Sequence, residues 1–216
     1  TFRDAQTGMW AKYNPQELAS PHAFREHPRT VLRWYEWRRS LIDQALPNPG
    51  HKALARLEQR AGEQNQPFLL ITQNIDDLHR KAGSENLIEL HGNIYRYKCF
   101  QCDRPQDGAL SPIDEDSALP RCPACNGLLR PDVVWFDESL PQKKLHRALS
   151  FTTRSEIFLS VGTSALVHPA ASLPTLAADN GATLVEINPE STPITEQADI
   201  VFQSPASQIL TDILPE

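Results

Sequence analysis

Short apolar runs recur along the chain and are separated by longer segments in which polar and apolar residues mix. Four runs have the length and composition of strands buried in a parallel sheet, at residues 68–72, 157–161, 183–187 and 199–202. Helical spacing follows at 51–60, 142–150, 169–180 and 206–214. Alternating strands and helices predict an α/β fold, a Rossmann-like, doubly wound parallel sheet with helices on both faces.

The segment 15–44 has a helical pattern without strands, and Pro21, Pro28 and Pro47 are expected to divide it. We therefore predict a helical insert at about residues 8–50 within the Rossmann-like domain, which comprises 1–98 and 130–216. The length of 216 residues fits one domain with a small additional module. Residues 99–129 are predicted to form that module.

The four cysteines form two C-x-x-C pairs with 19 residues between them. Two such pairs have the spacing of a four-cysteine zinc site, in which the thiolates surround one tetrahedral ion. A closed shell of four protein ligands leaves no position for water, so the zinc is predicted to be structural. Two disulfides are the alternative, but nothing else indicates a secreted disulfide scaffold. The predicted ligands are Cys99, Cys102, Cys122 and Cys125.

The charge balance argues against nucleic acid as a partner. The chain has 21 Lys and Arg against 27 Asp and Glu, a net charge of −6, whereas phosphate binding usually requires a basic stripe. The cluster of Arg33, Arg38 and Arg39 lies among aromatic residues and is most simply a solvated helix face. No apolar run approaches the roughly 20 residues that cross a bilayer, so no membrane association is predicted.

Polar and small residues follow three of the predicted strands. Parallel sheets bind ligands at the carboxyl ends of their strands, so these segments are candidates for binding the ribose, amide or phosphate groups of a nucleotide. Each alone is weak evidence, because such residues also cap helices. The three segments are Gln73-Asn74-Ile75-Asp76, Gly162-Thr163-Ser164 and Asn188-Pro189-Glu190.

His91, immediately before the cysteine module, is the candidate general base, because imidazole transfers protons near neutral pH. A single histidine is more often structural, and the chain has six others.

Taken in order, these motifs resemble the sirtuin family. The resemblance extends over essentially the whole chain, through Ser204-Pro205-Ala206. The opening Thr1-Phe2-Arg3 resembles the end of the family's cofactor loop. The motifs between are Gln73-Asn74-Ile75-Asp76-Asp77-Leu78-His79, His91-Gly92, the paired C-x-x-C, Val133-Val134-Trp135-Phe136-Asp137-Glu138, Gly162-Thr163-Ser164 and Asn188-Pro189-Glu190.

The resemblance implies an NAD-dependent protein-lysine deacylase whose partners are acylated-lysine proteins or peptides. The acyl oxygen would displace nicotinamide from NAD, His91 would act as general base, and Asn74 and Asp76 would line the nicotinamide pocket. The products would be free lysine, nicotinamide and 2′-O-acyl-ADP-ribose. The implied cofactor-binding residues are Phe2, Arg3, Gln73, Asn74, Ile75, Asp76, Gly162, Thr163, Ser164, Asn188, Pro189, Glu190 and Ala206.

The resemblance also implies the substrate site. Val134, Trp135 and Phe136 would form one side of the peptide cleft. Tyr35 and Arg38, at i and i+3 of a helix, match the Tyr-x-x-Arg of the class III branch. Arginine grips carboxylates through two parallel hydrogen bonds, so we expect succinyl-, malonyl- or glutaryl-lysine to be preferred, with weak deacetylation.

Ala19 matches the small residue that widens the acyl pocket of that branch. From the helix pattern alone, the simpler interpretation is an amphipathic helix with Trp34 and Trp37 buried and its arginines in water.

Two departures from the family pattern qualify the expectation. The family's first strand and its Gly-Ala-Gly-x-Ser loop precede the position that matches Thr1, so we expect weakened NAD binding. A catalytically impaired module that binds acylated lysine or a partner protein is therefore the alternative function. Asp137 stands where the family usually has glycine. We expect an intracellular monomer.

Overall fold

The computed structural model describes residues 14–106, 108 and 113–214. The chain divides into two compact units, each discontinuous in sequence. Unit 1 contains the described parts of Thr1–Ala45, Asn74–Asp77 and His91–Leu140. Unit 2 contains Leu46–Gln73, Leu78–Leu90 and the described part of Pro141–Glu216. The predicted domain boundaries at residues 98 and 130 stay a prediction.

The described secondary structure alternates between helices and strands from residue 46 onward, except for four consecutive strands between residues 87 and 133. The helices are α1 Pro15–Leu18, α2 Pro21–Glu26, α3 Pro28–Ile42, α4 Pro49–Glu63, α5 Leu78–Lys81, α6 Gln142–Thr152, α7 Leu173–Asp179 and α8 Ala206–Ile213. The strands are β1 Leu70–Thr72, β2 Leu87–Glu89, β3 Gly92–Cys99, β4 Pro105–Gln106, β5 Leu129–Val133, β6 Ile157–Val161, β7 Thr183–Ile187 and β8 Ile200–Phe202. No described helix is both long enough and apolar enough to cross a membrane.

Unit 2 carries two parallel sheets. In one, β1 pairs with β2, and Leu70 lies opposite Leu87. In the other, the order is β6-β7-β8, with Ile157 opposite Thr183 and Val185 opposite Ile200. A core cluster of α4, β7 and α8 side chains, comprising Ala53, Val185, Ile187 and Leu210, is at most 6% exposed. Parallel pairing is what the apolar runs predicted, but the predicted burial holds for β7 more than for β6 and β8, in which Ile157 is 65% and Ile200 is 44% exposed.

The predicted strands 157–161 and 183–187 coincide with β6 and β7, whereas the runs at 68–72 and 199–202 begin pairing two and one residues later. The sequence pattern did not predict the antiparallel sheet β4-β3-β5 of unit 1. Arg130 and Pro131 interrupt the apolar run of β5, yet both are buried. A buried charge conceals a strand from any analysis of hydrophobic periodicity.

Proline divides the helical segment of unit 1 as expected. Pro21 and Pro28 occupy the first turns of α2 and α3, where a missing N–H costs no hydrogen bond. The Ser20 hydroxyl accepts from the Ala23 N–H at 3.1 Å and caps α2. The segment therefore folds as three helices, α1 to α3.

Aromatic side chains form the core of unit 1. Phe24, Trp34, Tyr35 and Trp135 are each at most 2% exposed. The Phe24 ring centre lies 5.2 Å from that of Trp135, and the Tyr35 ring centre lies 6.5 Å from that of Trp135. These contacts attach α2 and α3 to the segment that follows β5, so they position the residues assigned to the substrate cleft.

Candidate functional site

The four cysteines converge in unit 1. Their sulfur atoms all lie within 4.8 Å of one another, with Cys99 and Cys125 at 3.4 Å and Cys102 and Cys122 at 3.9 Å. Zn–S bonds of about 2.3 Å around a tetrahedral ion place the sulfurs about 3.8 Å apart. These separations are far beyond the roughly 2.05 Å of a disulfide bond, and all four thiols are free. The cluster fits zinc and excludes the disulfide alternative.

The backbone of each C-x-x-C pair explains how the cluster forms. Asp103 and Asn126, which directly follow the second cysteine of each pair, adopt φ of +53° and +60°. Asp and Asn tolerate this left-handed conformation better than most residues. At Gly127 an added Cβ would lie 3.1 Å from Cys99 Sγ, so a side chain there would crowd the sulfur. The ligand spacing is thus supported by the turns around it.

The thiols compete for protons. Burial opposes ionisation of Cys99, but N–H groups of Cys102 and Gln101 point at its sulfur and lower its pKa to about 7. The Gly127 N–H favours ionisation of Cys125, yet the neighbouring Cys99 and Cys102 sulfurs raise its pKa to about 12. Deprotonation of all four neighbouring thiols together therefore requires a cation between them, which Zn²⁺ would supply.

In unit 2 the polar segments predicted to bind a nucleotide lie at the carboxyl edge of the parallel strands. Gln73, after β1, donates from Nε2 to Thr163 Oγ1 at 3.3 Å. The Gly162 N–H donates to Ile187 O at 2.9 Å, and the Asn188 N–H donates to Phe202 O at 3.1 Å. The segment after β6 is thus bonded to the end of β7, and the segment after β7 to the end of β8, as expected for neighbouring parallel strands.

A buried carboxylate supports the segment after β7. Glu186 is 2% exposed, and its two oxygens accept from the hydroxyls of Thr192 and Thr195, the latter at 2.5 Å. The Asn188 amide donates to Glu190 O at 2.6 Å. The loop that carries Asn188, Pro189 and Glu190 is therefore fixed at both ends. Ala206, the remaining predicted contact in this unit, begins α8.

Unit 1 holds the segment from Asn74 to Asp77, in which Asn74 is exposed and Asp76 half-buried. The Ile75 carbonyl accepts from the Ile94 N–H at 2.9 Å. His91 lies directly before β3, half-buried, and its carbonyl accepts from the Val134 N–H at 2.9 Å. Backbone hydrogen bonds therefore hold both segments against other parts of unit 1.

The segment assigned to the peptide cleft rests on a buried ion pair. Arg130 is 2% exposed and forms a bidentate pair with Glu138, which also accepts from the Trp135 N–H at 2.8 Å. Burial opposes ionisation of Glu138, but hydrogen bonds from Arg130 and the Trp135 backbone hold its pKa below the usual range. The Phe136 N–H donates to Ala19 O at 2.9 Å, so Ala19 contacts the cleft segment through its backbone.

Tyr35 and Arg38 lie one turn apart on α3, as their spacing predicted. Tyr35 is 1% exposed and its hydroxyl oxygen accepts from Trp135 Nε1 at 2.9 Å. Burial, above all, raises the pKa of Tyr35 to about 12, so the phenol stays protonated. The Arg38 guanidinium lies 4.9 Å from the Trp34 ring centre and 5.9 Å from that of Tyr35.

The simpler interpretation of α3 is partly wrong. Arg38 and Trp37 are both half-buried, so this arginine is not a fully solvated side chain, although Trp34 is buried as that interpretation required. Burial lowers the pKa of Arg38. Long side chains that lie along aromatic rings lose water from the charged group as well as from the stem.

Sequence reasoning assigned no role to Asp77, Asn93, Arg130 or Glu186, all of which support the candidate segments. Asp77 lies within the motif from Gln73 to His79, and Asn93 directly follows His91-Gly92. These positions were the available signal. Nothing in the pattern indicated that Arg130 or Glu186 would be buried. Two predicted cofactor residues, Phe2 and Arg3, lie outside the described residues.

Comparison with known proteins gives one consistent family. A sequence profile of the Sir2 family matches residues 1–169. An NAD-dependent protein deacylase of Aquifex aeolicus is 48% identical over 207 residues, 96% of this chain and 84% of that protein. An NAD-dependent protein deacylase of Pyrococcus abyssi is 44% identical over 221 aligned positions, covering 100% of this chain and 86% of that protein.

Solved structures show the same relationship. A Sir2 homologue in complex with NAD has a TM-score of 0.88 and 41% identity, covering 99% of this chain and 81% of that one. A Sir2 protein bound to an acetylated peptide has a TM-score of 0.81 and 33% identity, covering 94% of this chain and 83% of that one. The predicted α/β class with its parallel strands and four-cysteine module is confirmed. The chain belongs to the Sir2 family, the sirtuins.

Proposed function

We propose that this chain is an NAD-dependent protein-lysine deacylase that prefers acidic acyl groups. Its relatives carry the name NAD-dependent protein deacylase, and two solved neighbours are complexes with NAD and with an acetylated peptide. The observation that carries the acyl preference is the desolvated guanidinium of Arg38 one helical turn from the phenol of Tyr35.

The residues that would hold NAD fit its chemistry. Thr163, Asn188 and Glu190 offer hydroxyl, amide and carboxylate groups for hydrogen bonds to the adenosine half, and Asp76 offers an acceptor for the nicotinamide amide. Gly162, at φ +59°, presents no side chain, so a ligand can approach the backbone closely. NAD supplies an electrophilic ribose carbon and nicotinamide as the leaving group.

His91 is the proposed general base. It is half-buried, and the Val134 N–H fixes its backbone at the edge of the segment assigned to the peptide. An imidazole in that position would accept the proton of a ribose hydroxyl of bound NAD and later return it to the departing product.

Charge and hydrogen-bond capacity support the acyl preference. A guanidinium that has lost part of its water pairs more strongly with a carboxylate, because the screening of their attraction is weaker. The Tyr35 oxygen accepts from Trp135 and the phenol keeps its own proton, which it can donate to the same carboxylate. A neutral acetyl group uses neither interaction.

The test is a mass-spectrometric assay of one peptide sequence carrying either succinyl-lysine or acetyl-lysine, each with and without NAD. We expect NAD-dependent loss of the succinyl group, faster than loss of acetyl, and no turnover of either by His91→Tyr. Faster deacetylation would contradict the acyl preference and leave the deacylase. Absence of turnover on both peptides would contradict the deacylase itself and favour a module that only binds.

A further inference from the structure

The loop that carries Asp76 is attached to strand β3 at two points. On one side of Asp76, the Ile75 carbonyl accepts from the Ile94 N–H at 2.9 Å. On the other side, the Asp77 carboxylate accepts from Asn93 Nδ2 at 2.8 Å. Asp76 is thus the single residue between two anchored neighbours.

Asn93 is fixed as firmly as the loop that it holds. It is 2% exposed, and its Oδ1 accepts from the Tyr95 N–H at 2.9 Å. Because the amide oxygen of Asn93 accepts from Tyr95, the amide can have only one orientation, and in it Nδ2 points at Asp77. A buried amide with both ends engaged has little freedom to release either partner.

The irregularity in the sheet makes both attachments possible. Between Asn93 and Tyr97 the pairing of β3 with β5 shifts register, so the regular ladder is interrupted there. Interrupted pairing frees backbone groups for other partners, and the Ile94 N–H is used by Ile75. Asp77 adopts φ +64°, which turns the chain where its carboxylate meets Asn93.

We infer that Asn93 and Asp77 are positioning residues: their hydrogen bond holds Asp76 in register with His91, two residues before Asn93 in the same segment. This inference rests on the proposed function, in which Asp76 binds the nicotinamide amide and His91 is the base. Neither positioning residue needs to touch a ligand. Because the bond has an anionic acceptor, it is stronger than a bond between neutral groups.

The test is an exchange of the two side chains. Asp77→Asn keeps an oxygen that accepts from Asn93, so we expect only a small effect. Asn93→Asp places two carboxylates together and should raise the KM for NAD about tenfold or more, while the KM for the acyl peptide changes little. In the double variant an amide at 77 donates to a carboxylate at 93, and the KM for NAD should return to within about threefold of wild type.

Hydrogen exchange of the loop 73–77 in the same four proteins supplies a readout that does not depend on activity. We expect faster exchange in Asn93→Asp and recovered protection in the double variant. The inference would be overturned if the double variant had the same raised KM for NAD and the same fast exchange of residues 73–77 as Asn93→Asp. Equal increases in the two KM values would also overturn it, because they indicate general disruption.

Failure of the proposed function is recognised separately. If the wild-type protein shows no NAD-dependent deacylation, that function is wrong, and the exchange data alone then decide whether the bond orders the loop. Thermal midpoints of all four proteins show whether Asn93→Asp is folded. If it is not, Asp77→Gly takes its place, because it removes the acceptor without adding a charge and tolerates the φ of +64° at this position. It should show the same rise in the KM for NAD with little change in the KM for the peptide.

Discussion

At the scale of single residues, two adjacent arginines on α3 have different surroundings. Arg38 lies over the rings of Trp34 and Tyr35. Arg39 lies 5.2 Å from the ring centre of Tyr97. Both guanidinium groups lose water, and burial lowers the pKa of each. Both arginines lie within one helical turn of Tyr35, but the Arg38 guanidinium lies 5.9 Å from the Tyr35 ring centre, whereas that of Arg39 lies over Tyr97. We therefore expect Arg38, and not Arg39, to act with the Tyr35 phenol on one carboxylate.

Arg38→Met should therefore reduce kcat/KM for the succinyl peptide sharply and leave deacetylation comparatively unchanged. Loss of a bidentate charge-assisted interaction corresponds to about tenfold or more in kcat/KM. Steady-state kinetics on the paired peptides measure the effect. Arg39→Met is the matched control, and we expect it to change kcat/KM for the succinyl and acetyl peptides by the same factor. Equal loss of both activities in Arg38→Met would show that Arg38 supports the fold and not the acyl group.

At the scale of elements, the turn between His91 and β3 depends on one glycine. Gly92 has φ +83°, and a Cβ there would lie 1.9 Å from Asp132 O on the paired strand β5. No side chain can occupy that space unless the two strands separate. The requirement arises from strand pairing, because β5 must reach Gly92 for the Val134 N–H to bond the His91 carbonyl.

Gly92→Ala should consequently destabilise the protein by several kcal/mol, as expected for a forced clash with strained backbone. Gly62→Ala is the control: this glycine lies in α4, and an added Cβ meets nothing within 4 Å. We expect Gly62→Ala to stabilise the chain by up to about 1 kcal/mol. Urea unfolding of both variants measures the two changes in the free energy of unfolding, which should have opposite signs. A Gly92→Ala variant as stable as wild type would contradict the predicted clash with Asp132 O.

The cysteine module is the second element with a sharp expectation. The purified protein should contain one zinc ion per chain, measured by elemental analysis, because the four sulfurs form one cluster. Chelation should lower the thermal midpoint, since zinc binding in such modules contributes directly to folding. Cys102→Ser should lower zinc content. Full zinc occupancy after this substitution would show that Cys102 is not a ligand.

At the scale of the whole molecule, pH connects local chemistry to stability. The carboxylate of Glu138 faces a guanidinium that is 2% exposed, so its ionised form is stabilised in the folded state and its pKa is lowered. The unfolded chain then binds the proton more readily than the folded one. The stability that this pair contributes is present above the unfolded pKa of about 4.3 and is lost as pH falls through the lower folded value.

Glu138→Gln should cost roughly 3 kcal/mol at neutral pH, because it leaves Arg130 buried without its anion. The difference from wild type should shrink as pH falls below about 4. Urea unfolding at a series of pH values measures this. Glu115→Gln is the control: its carboxylate is 82% exposed beside Arg33, and the expected cost is less than about 1 kcal/mol. A difference that stays constant with pH would contradict the lowered pKa.

Secondary structure was predictable where hydrophobic residues make up most of an element, even though β6 begins at Ile157, which is 65% exposed. Strands β6 and β7 are short apolar runs, and their bounds agree with the pattern. Strand β5 was missed because Arg130 lies within it. The helical segment 15–44 was correctly divided at Pro21 and Pro28, because proline acts locally through its own missing N–H.

For the candidate site, the sequence supplied the residues and the structure supplied their supports. The cysteine spacing was sufficient for a zinc cluster because the ligands themselves define the site. The polar residues after β6 and β7 could be placed at one sheet edge because parallel strands align their carboxyl ends, and those after β1 follow a strand of a separate parallel pair. No comparable rule of spacing or strand alignment applied to Asn93, Asp77 or Glu186. Their importance depends on partners in other segments.

The sequence by itself determined the α/β class, the four-cysteine cluster, the family and the starts of α6 and α8, since each follows from short-range spacing or from residue chemistry. Only the tertiary structure decided which charges are buried and which hydrogen bonds hold the loops. The pairing of Arg130 with Glu138 and of Asn93 with Asp77 requires the chain to return to the same place. Periodicity records which face of an element is apolar, and it contains no information about which distant residue satisfies a buried polar group.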